Sequence, residues 1–430
     1  MKYKIQNLEQ VDNSWYFDGA SIKFLASEFQ TPLYVYSLST IQNKIADLKK
    51  TFAEITPKHQ LYYAVKANSN LTLLKYIAES GFGFDIVSAG ELMRVKQATG
   101  RTDNIVFAGV GKTEYEIKLA AEAEIHAFNV ESIAELEFIG KICSEVRKSA
   151  NITFRINPNV DAHTHKYITT GTEKNKFGIM LEKVDEALDT LTKYDYLNFI
   201  GYQMHLGSQI KLGMPYRLGF DVLKTLIAKA SERGLEVSEI DLGGGFGVGY
   251  EENEDFNLQD FIKQLKPQIP ENITIAAEPG RYIVAESGIL LTKVLYRKSR
   301  FAIVDGAMTD CIRPTLYDAY HPIANLSKGI FPDTDEFAKI ENGEIDKASA
   351  VDVVGPVCES GDFLGLSRNL QAEQGDILGL LYAGAYGYAM SSNYNSRPKP
   401  AEVLVSKGKA LQISKRESHE DLYRNEIFPE

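Results

Sequence analysis

Lys66 is the residue of this sequence with the clearest potential for covalent chemistry. It ends an apolar, strand-like run at 61–66, and a turn-prone Ala-Asn-Ser-Asn segment follows at once. An ammonium group at the end of an apolar strand is costly to desolvate unless it is paired or neutral. A lysine with a lowered pKa is an amine nucleophile that forms a Schiff base with an aldehyde. A lysine that reaches into water from a strand end is the alternative, and from this segment alone it is the commoner case.

A second segment with chemical potential contains three consecutive glycines, at 243–245. Glycines after a strand let backbone N–H groups approach an anion closely, which indicates a site for a phosphate monoester. The dinucleotide pattern GxGxxG fails because Val248 occupies its last position, and a P-loop ending at 111–113 fails because Val106 replaces its first glycine. A tight turn without a ligand remains open from these residues alone.

Two further segments contain residues that suit a flat, anionic cofactor. A buried carboxylate at Glu278 could keep a pyridine nitrogen protonated through a charge-assisted hydrogen bond, and Gly280 and Arg281 behind it could bind anions. His205 could stack on the ring while Ser208 helps to bind phosphate. The alternatives are a turn with a solvated ion pair and a histidine of the core.

The region from 38 to 280 alternates short apolar runs with amphipathic, helix-like stretches. Eight such strand–helix units predict a (β/α)8 barrel, in which function lies at the carboxyl ends of the strands. The predicted strands are 61–66, 83–87, 104–107, 126–130, 152–157, 199–205, 240–242 and 273–278. The polar residues at their ends are Lys66, Asp85, Arg155, His205, Asp241 and Glu278.

The pattern of the sequence changes after Arg281. Short strand-like pieces joined by Gly, Pro and Asn turns predict an all-β domain, which the strand-like segment 32–36 could join. We therefore expect two domains, the barrel at 38–280 and a β domain formed by 1–37 and 281–430. The predicted strands of the second are 288–295, 301–305, 351–354, 376–381, 402–405 and 411–413.

Composition excludes several classes of protein. The net charge of -11 argues against a nucleic-acid or anionic-membrane partner, and the sequence contains no basic leader or long apolar run. Its three scattered cysteines indicate neither a disulfide framework nor a structural zinc site. His163 and His165 resemble metal ligands, but no further ligand cluster completes a site, so we expect no metal. The protein is expected to be cytoplasmic.

Taken together, the motifs resemble the fold-type III decarboxylases that use pyridoxal phosphate, of the alanine racemase barrel type. More closely, the sequence is similar to the diaminopimelate decarboxylases along nearly its whole length and in the same order. The motifs shared with the broader family are at 63–68, 205–209, 243–247 and 278–281, and those shared with the narrower one are at 155–165, 176–179, 312–317, 321–322, 355–362 and 384–387.

The resemblance implies roles at matching positions. Lys66 would hold the cofactor aldehyde as an imine and later return a proton to the product, and Cys358 would donate a proton. His205, the third implied catalytic residue, would stack on one face of the ring. The resemblance also implies a head-to-tail homodimer in which Cys358 and Glu359 enter the partner's active site. The implied cofactor-binding residues are Lys66, Asp85, Arg155, His205, Ser208, Gly244, Gly245, Glu278, Gly280, Arg281 and Tyr386. The implied substrate-binding residues are Arg281, Arg313, Tyr317, Glu359 and Tyr386.

The implied reaction is decarboxylation of meso-2,6-diaminopimelate to L-lysine, the last step of lysine biosynthesis. A decarboxylase for ornithine, lysine, arginine or carboxynorspermidine is the nearest alternative, but Arg313 would then lack a carboxylate partner. An alanine-type racemase usually places an arginine at the ring nitrogen, where this chain has Glu278. A non-catalytic pyridoxal phosphate carrier would consist of a barrel alone and lack the β domain.

Overall fold

The computed structural model describes residues 5–12, 14–160, 176–250, 256–332, 339, 342–343 and 350–429. The chain divides into two compact units, one formed by 45–247 with 255–280, the other by 1–44, 248–254 and 281–430. The domain boundaries expected from the sequence stay a prediction. Within the described residues, no helix combines the length and apolarity needed to cross a membrane.

The first unit is a closed barrel of eight parallel strands, as the sequence predicts. Its last strand pairs with its first through Ile275 and His59, and this pairing closes the sheet. The strands are His59–Ala64, Gly83–Ile86, Ile105–Phe107, Ala127–Val130, Ala150–Asn157, Leu197–Met204, Glu239–Asp241 and Thr274–Ala277. A short extra strand, Ile179–Met180, pairs with the fifth barrel strand.

Helices alternate with the barrel strands, and several of them begin at a side-chain cap. Ser88 and Ser132 each accept a hydrogen bond from the backbone N–H three residues on, and Thr113 forms a full capping box with Glu116. These caps end the loops close to the strand ends and so limit where the loops can extend. The helices are Leu38–Ile55, Leu71–Glu79, Ala89–Thr99, Glu114–Glu122, Ile133–Val146, Val184–Leu191, Met214–Ser231 and Leu258–Leu265.

The second unit is rich in β-structure, as predicted. Strand Leu33–Ser37, near the N-terminus, joins its main sheet by pairing with Gly288–Lys298 and Ala401–Ser406, which confirms the expectation for that segment. The remaining strands of the sheet are Phe301–Val304, Ile323–Asn325, Val351–Val354, Phe363–Arg368, Ile377–Leu380 and Lys409–Ser414. A separate three-stranded sheet contains Leu8–Val11, Ser14–Phe17 and Ala20–Ser21. Short helices at Ile22–Glu28, Arg281–Val284 and Arg313–Tyr317 complete the unit.

Candidate active site

Lys66 lies in a 3-10 turn, Val65–Ala67, directly behind the first barrel strand. The strand was predicted to extend to Lys66, but it ends at Ala64, whose backbone N–H donates to the carbonyl of Pro279. The Lys66 Nζ is 2.7 Å from Oδ2 of Asp85, and the lysine side chain is 35% exposed while the aspartate is fully buried. The turn therefore presents an accessible amine that a buried carboxylate holds in place.

Glu278 lies inside the same barrel and is fixed from two sides. The side-chain amide of Asn129 donates to Oε1 at 2.9 Å, and that of Gln203 donates to Oε2 at 3.1 Å. The hydroxyl of Thr153 donates to the amide oxygen of Asn129 and so sets the orientation of that amide. Asn129 and Gln203 were not among the residues expected in the site. Their signal in the sequence is an amide within a strand that is buried on both faces.

The barrel interior places acidic groups close enough to compete for protons. Burial raises the pKa of Glu278 to about 8, and the charge of Asp85 adds to this effect while Lys66 and Arg155 oppose it. Burial and the neighbouring Glu278 also raise the pKa of Asp241 well above its ordinary value. Since two buried carboxylates cannot both ionise easily, Glu278 is suited to share a proton with a basic nitrogen.

His205 follows the sixth barrel strand and is a neutral ring. Its Nδ1 accepts a hydrogen bond from the backbone N–H of Gly244 at 3.2 Å, so the proton of the ring is on Nε2. Burial lowers the pKa of His205 well below its ordinary value, and the positive charges of Arg155 and Lys66 add to this effect. An uncharged imidazole of this kind can stack on a planar aromatic group.

The glycine turn after the seventh strand is joined to the loop that carries Ser208. The backbone N–H of Ile210 donates to the carbonyl of Gly245, and the hydroxyl of Tyr216 donates to the carbonyl of Gly244. Gly245 has a φ of 102°, and a Cβ there would collide with the carbonyl oxygen of Gly207. The turn thus has a conformation that only glycine adopts without strain.

Arg155 is held by a carboxylate that was not expected to belong to the site. Glu131 accepts from Nη1 of Arg155 at 2.7 Å and from the backbone N–H groups of Gly109 and Gly178. The guanidinium also lies over the ring of Phe177, 4.7 Å from its centroid. One buried ion pair therefore connects three of the loops behind the barrel strands.

The barrel unit thus brings most of the predicted cofactor residues to the carboxyl ends of its strands. These are Lys66, Asp85, Arg155, His205, Ser208, Gly244, Gly245 and Glu278, with Gly280 packed against the first strand and its turn. His163 and His165 lie outside the described residues. Within the described part of the chain, no three His, Cys, Asp or Glu side chains are grouped to hold a metal ion.

The second unit contains the other predicted residues, and it groups two arginines with aromatic rings. Nη1 of Arg281 donates to the hydroxyl of Tyr250 at 3.0 Å, and its guanidinium lies 4.7 Å from the centroid of Tyr386. The guanidinium of Arg313 lies 4.7 Å from the centroid of Tyr250. Tyr317, half-buried, ends the short helix that Arg313 begins. Tyr250 was not predicted.

Cys358 and Glu359 lie in an exposed turn of the second unit. The backbone N–H of Cys358 donates to the side-chain oxygen of Asn395. Oδ2 of Asp362 accepts from the backbone N–H of Val357, which precedes them. The turn is therefore held from beneath by a buried carboxylate while both side chains face outward.

Known proteins match this chain in both sequence and structure. Residues 38–285 match the family of pyridoxal-dependent decarboxylases, at its pyridoxal binding domain. The diaminopimelate decarboxylase of Aquifex aeolicus is 40% identical over 422 residues, which cover 96% of each chain.

This chain belongs to the diaminopimelate decarboxylase family.

Two solved structures of the family that contain L-lysine are also similar to this chain. The enzyme from M. jannaschii is 35% identical, with a TM-score of 0.86 and coverage of 99% of this chain and 98% of the other. The enzyme from Helicobacter pylori is 39% identical, with a TM-score of 0.83 and coverage of 94% and 98%. The family is pyridoxal-dependent, and its fold is a barrel with a β-rich second unit, as the sequence resemblance implies.

The residues of the barrel fit pyridoxal phosphate. One carboxylate oxygen of Asp85 is buried and has no hydrogen-bond partner among the described residues, although it lies beside the accessible amine of Lys66. A Cβ at Gly244 would collide with the carbonyl oxygen of Glu278, so this position admits only glycine, whose bare backbone suits an anionic group such as a phosphate. The raised pKa of Glu278 suits a pyridine nitrogen. These residues thus suit the aldehyde, the phosphate and the ring nitrogen of the cofactor.

Proposed function

We propose that this protein decarboxylates meso-2,6-diaminopimelate to L-lysine and CO2, the last step of lysine biosynthesis, with pyridoxal phosphate as its cofactor. The observation that carries the substrate assignment is the buried guanidinium of Arg313. Its partners in the described part of the chain are the imidazole of His321 and the ring of Tyr250, neither of which is an acid. A buried cation without a counter-charge suits a substrate that brings a second carboxylate.

The barrel residues would provide the electrostatics of the reaction. Bound pyridoxal phosphate supplies a ring that accepts the electron pair left behind when CO2 departs. Glu278, held by its two amides, would keep the ring nitrogen protonated and so increase that capacity. His205 would support one face of the ring, and Ser208 with the glycine turn would hold the phosphate.

Lys66 would hold the cofactor at rest and later return a proton through its Nζ. Asp85 lies within hydrogen-bond distance of that nitrogen and would keep it oriented toward the cofactor aldehyde. Cys358 would hold on Sγ the one proton that replaces CO2 on the product carbon.

The second unit would bind the part of the substrate that does not react. Arg313 and Arg281 would oppose the distal carboxylate, and Glu359 would oppose the ammonium group beside it. Tyr317 and Tyr386 would line this end. Ornithine, lysine or arginine would leave Arg313 without a carboxylate partner, and so would carboxynorspermidine. An unpaired buried polar group gives strong discrimination.

Turnover of the purified holoenzyme with single amino acids tests the proposed function. We expect CO2 release and stoichiometric L-lysine from meso-2,6-diaminopimelate, with kcat/KM at least about 10²-fold above that for L-ornithine, L-lysine or L-arginine. Comparable values for ornithine or lysine would replace the proposal with the broader basic amino-acid decarboxylase.

Gly245→Ala should weaken cofactor binding at least about 100-fold, because a methyl group would collide with the carbonyl of Gly207 and distort the turn that would hold the phosphate. Gly234→Ala is the matched control, since Gly234 also has a positive φ, 72°, but a Cβ there meets no atom within 4 Å. Titration of the apoprotein with pyridoxal phosphate measures both. Equal affinities in the two variants would show that the glycine turn does not bind the phosphate.

We also propose a homodimer with shared active sites, in which Cys358 and Glu359 act on the partner's substrate. The support is the resemblance together with the exposure of both side chains in the single chain. Mixing the inactive variants Lys66→Ala and Cys358→Ala should then restore about one quarter of wild-type activity, because half of the re-formed dimers contain one intact site. A mixture that stays inactive, although the two variants exchange subunits, contradicts shared sites.

We also propose that the protein is located in the cytoplasm. All three cysteines are free thiols, and Cys143 and Cys311 are buried. Free thiols of this kind are typical of a reducing compartment.

A further inference from the structure

His321 is a buried residue of the second unit that contacts Arg313 directly. Nη1 of Arg313 lies 2.6 Å from Nε2 of His321, and the imidazole is fully buried. The ring of Tyr250 packs against both, edge-on to His321 at 5.1 Å between centroids and beneath the guanidinium. The histidine and the tyrosine thus determine where the arginine can lie.

The hydrogen bonds of His321 define its tautomer. Nδ1 lies 2.9 Å from the carbonyl oxygen of Leu381, which can only accept, so the ring proton is on Nδ1. Nε2 is then an acceptor, as the guanidinium requires. Burial lowers the pKa of His321 well below its ordinary value, and the charge of Arg313 adds to this effect. The imidazole is therefore a neutral acceptor for Arg313.

A neutral acceptor affects the charge of Arg313 differently from a carboxylate in the same place. An aspartate or glutamate would neutralise Arg313 and compete with an anionic ligand. An imidazole occupies one N–H group and leaves the full charge and the remaining donors of the guanidinium available. We propose that His321 is a positioning residue for specificity, which orients Arg313 toward the substrate carboxylate that the reaction does not remove. This inference rests on the proposed function, since it takes the role of Arg313 from there.

The chemistry of the product provides a direct probe of this contact. L-Lysine keeps the carboxylate that Arg313 would bind, whereas 1,5-diaminopentane has the same chain and two amines but no carboxylate. If His321 acts through Arg313, a change at His321 must affect the binding of L-lysine and leave that of 1,5-diaminopentane unaffected. A general distortion of the unit would weaken both.

Two substitutions separate the two hydrogen bonds of the imidazole. The amide of His321→Asn can replace Nδ1 and donate to Leu381, but it is too short to reach Arg313. The longer amide of His321→Gln can replace Nε2 and accept from Arg313, but it loses the bond to Leu381. We expect His321→Asn to raise the inhibition constant of L-lysine and the KM of meso-2,6-diaminopimelate about 10- to 100-fold, as for loss of a charge-assisted hydrogen bond. His321→Gln should recover most of that loss.

The holoenzymes are compared by steady-state kinetics and product inhibition, with the absorption of the bound cofactor as a check on folding. The inference is wrong if Asn and Gln have equal effects, or if inhibition by 1,5-diaminopentane weakens as much as inhibition by L-lysine. Arg313→Met separates this failure from a failure of the proposed function. If Arg313→Met weakens the binding of L-lysine while His321→Asn does not, only the inference on His321 is wrong. If Arg313→Met has no effect on the binding of L-lysine, the proposed substrate contact is wrong as well.

Discussion

Lys66→Arg is expected to lower kcat at least about 10³-fold while the protein remains folded. Arginine keeps a positive charge beside the buried carboxylate of Asp85, so the ion pair of 2.7 Å can be retained. A guanidinium stays protonated, however, and can neither act as an amine nucleophile nor exchange a proton. Loss of such a group typically costs 10²–10⁴-fold in rate from acid–base chemistry alone. The measurement is steady-state CO2 release from meso-2,6-diaminopimelate.

The control for this prediction is Lys75→Arg, at an exposed position of helix Leu71–Glu79. It should leave kcat within about twofold, since substitutions of exposed residues away from special features have small effects. Lys66→Ala should be as inactive as Lys66→Arg but less stable, because it leaves Asp85 buried and unpaired. If Lys66→Arg kept more than a tenth of wild-type activity, the role proposed for Lys66 would be wrong.

Glu278→Gln should lower kcat about 10²- to 10³-fold, the usual cost of removing one preorganised electrostatic group. A glutamine can occupy the space between Asn129 and Gln203, but it has no negative charge with which to keep a ring nitrogen protonated. The absorption spectrum of the bound cofactor should shift as well. Glu239→Gln is the matched control because it also neutralises a buried carboxylate of the barrel, and it should retain nearly full activity.

The same substitution should change the pH dependence of apoprotein stability in a stated direction. The pKa of Glu278 is raised from about 4.5 to about 8 in the folded state, so the folded state binds more protons than the unfolded state between these values. The contribution of Glu278 to the free energy of unfolding therefore falls as the pH rises from about 4.5 to about 8. Glu278→Gln removes this titration and also the charge that raises the pKa of Asp241. Its apoprotein should melt higher than the wild type at pH 8.5, and a lower melting temperature would contradict the assignment.

Much of the barrel could be predicted from the sequence because its signals are local. Strands buried on both faces read as short apolar runs, and all eight are found within a few residues of their predicted bounds. The helix-like stretches between these strands are helices as well, and Ser132 caps the start of one of them, Ile133–Val146. Strand ends were less accurate. The first strand stops before Lys66 because the chain enters a 3-10 turn at Val65–Ala67.

The site residues that were not predicted from the sequence owe their roles to contacts between distant parts of the chain. Glu131 belongs to the site only because Arg155 and the backbone of Gly178 reach it from other loops. His321 could be recognised as part of a motif, but its role depends on Leu381, which lies beyond the strand that pairs with Ile323–Asn325. In both cases the residue type was visible in the sequence, whereas the partner that gives it a function was not.

Competition between substrates tests the central claim most directly. Holoenzyme is incubated with equimolar meso-2,6-diaminopimelate, L-lysine and L-ornithine, and the products are identified by chromatography and mass spectrometry. The diaminopimelate carries an isotope label that distinguishes its two stereocentres. We expect loss of diaminopimelate with an equal gain of L-lysine and no diamine, because only diaminopimelate brings a carboxylate for Arg313 in addition to the one that is removed. Formation of 1,5-diaminopentane or 1,4-diaminobutane at a comparable rate would contradict the assigned substrate.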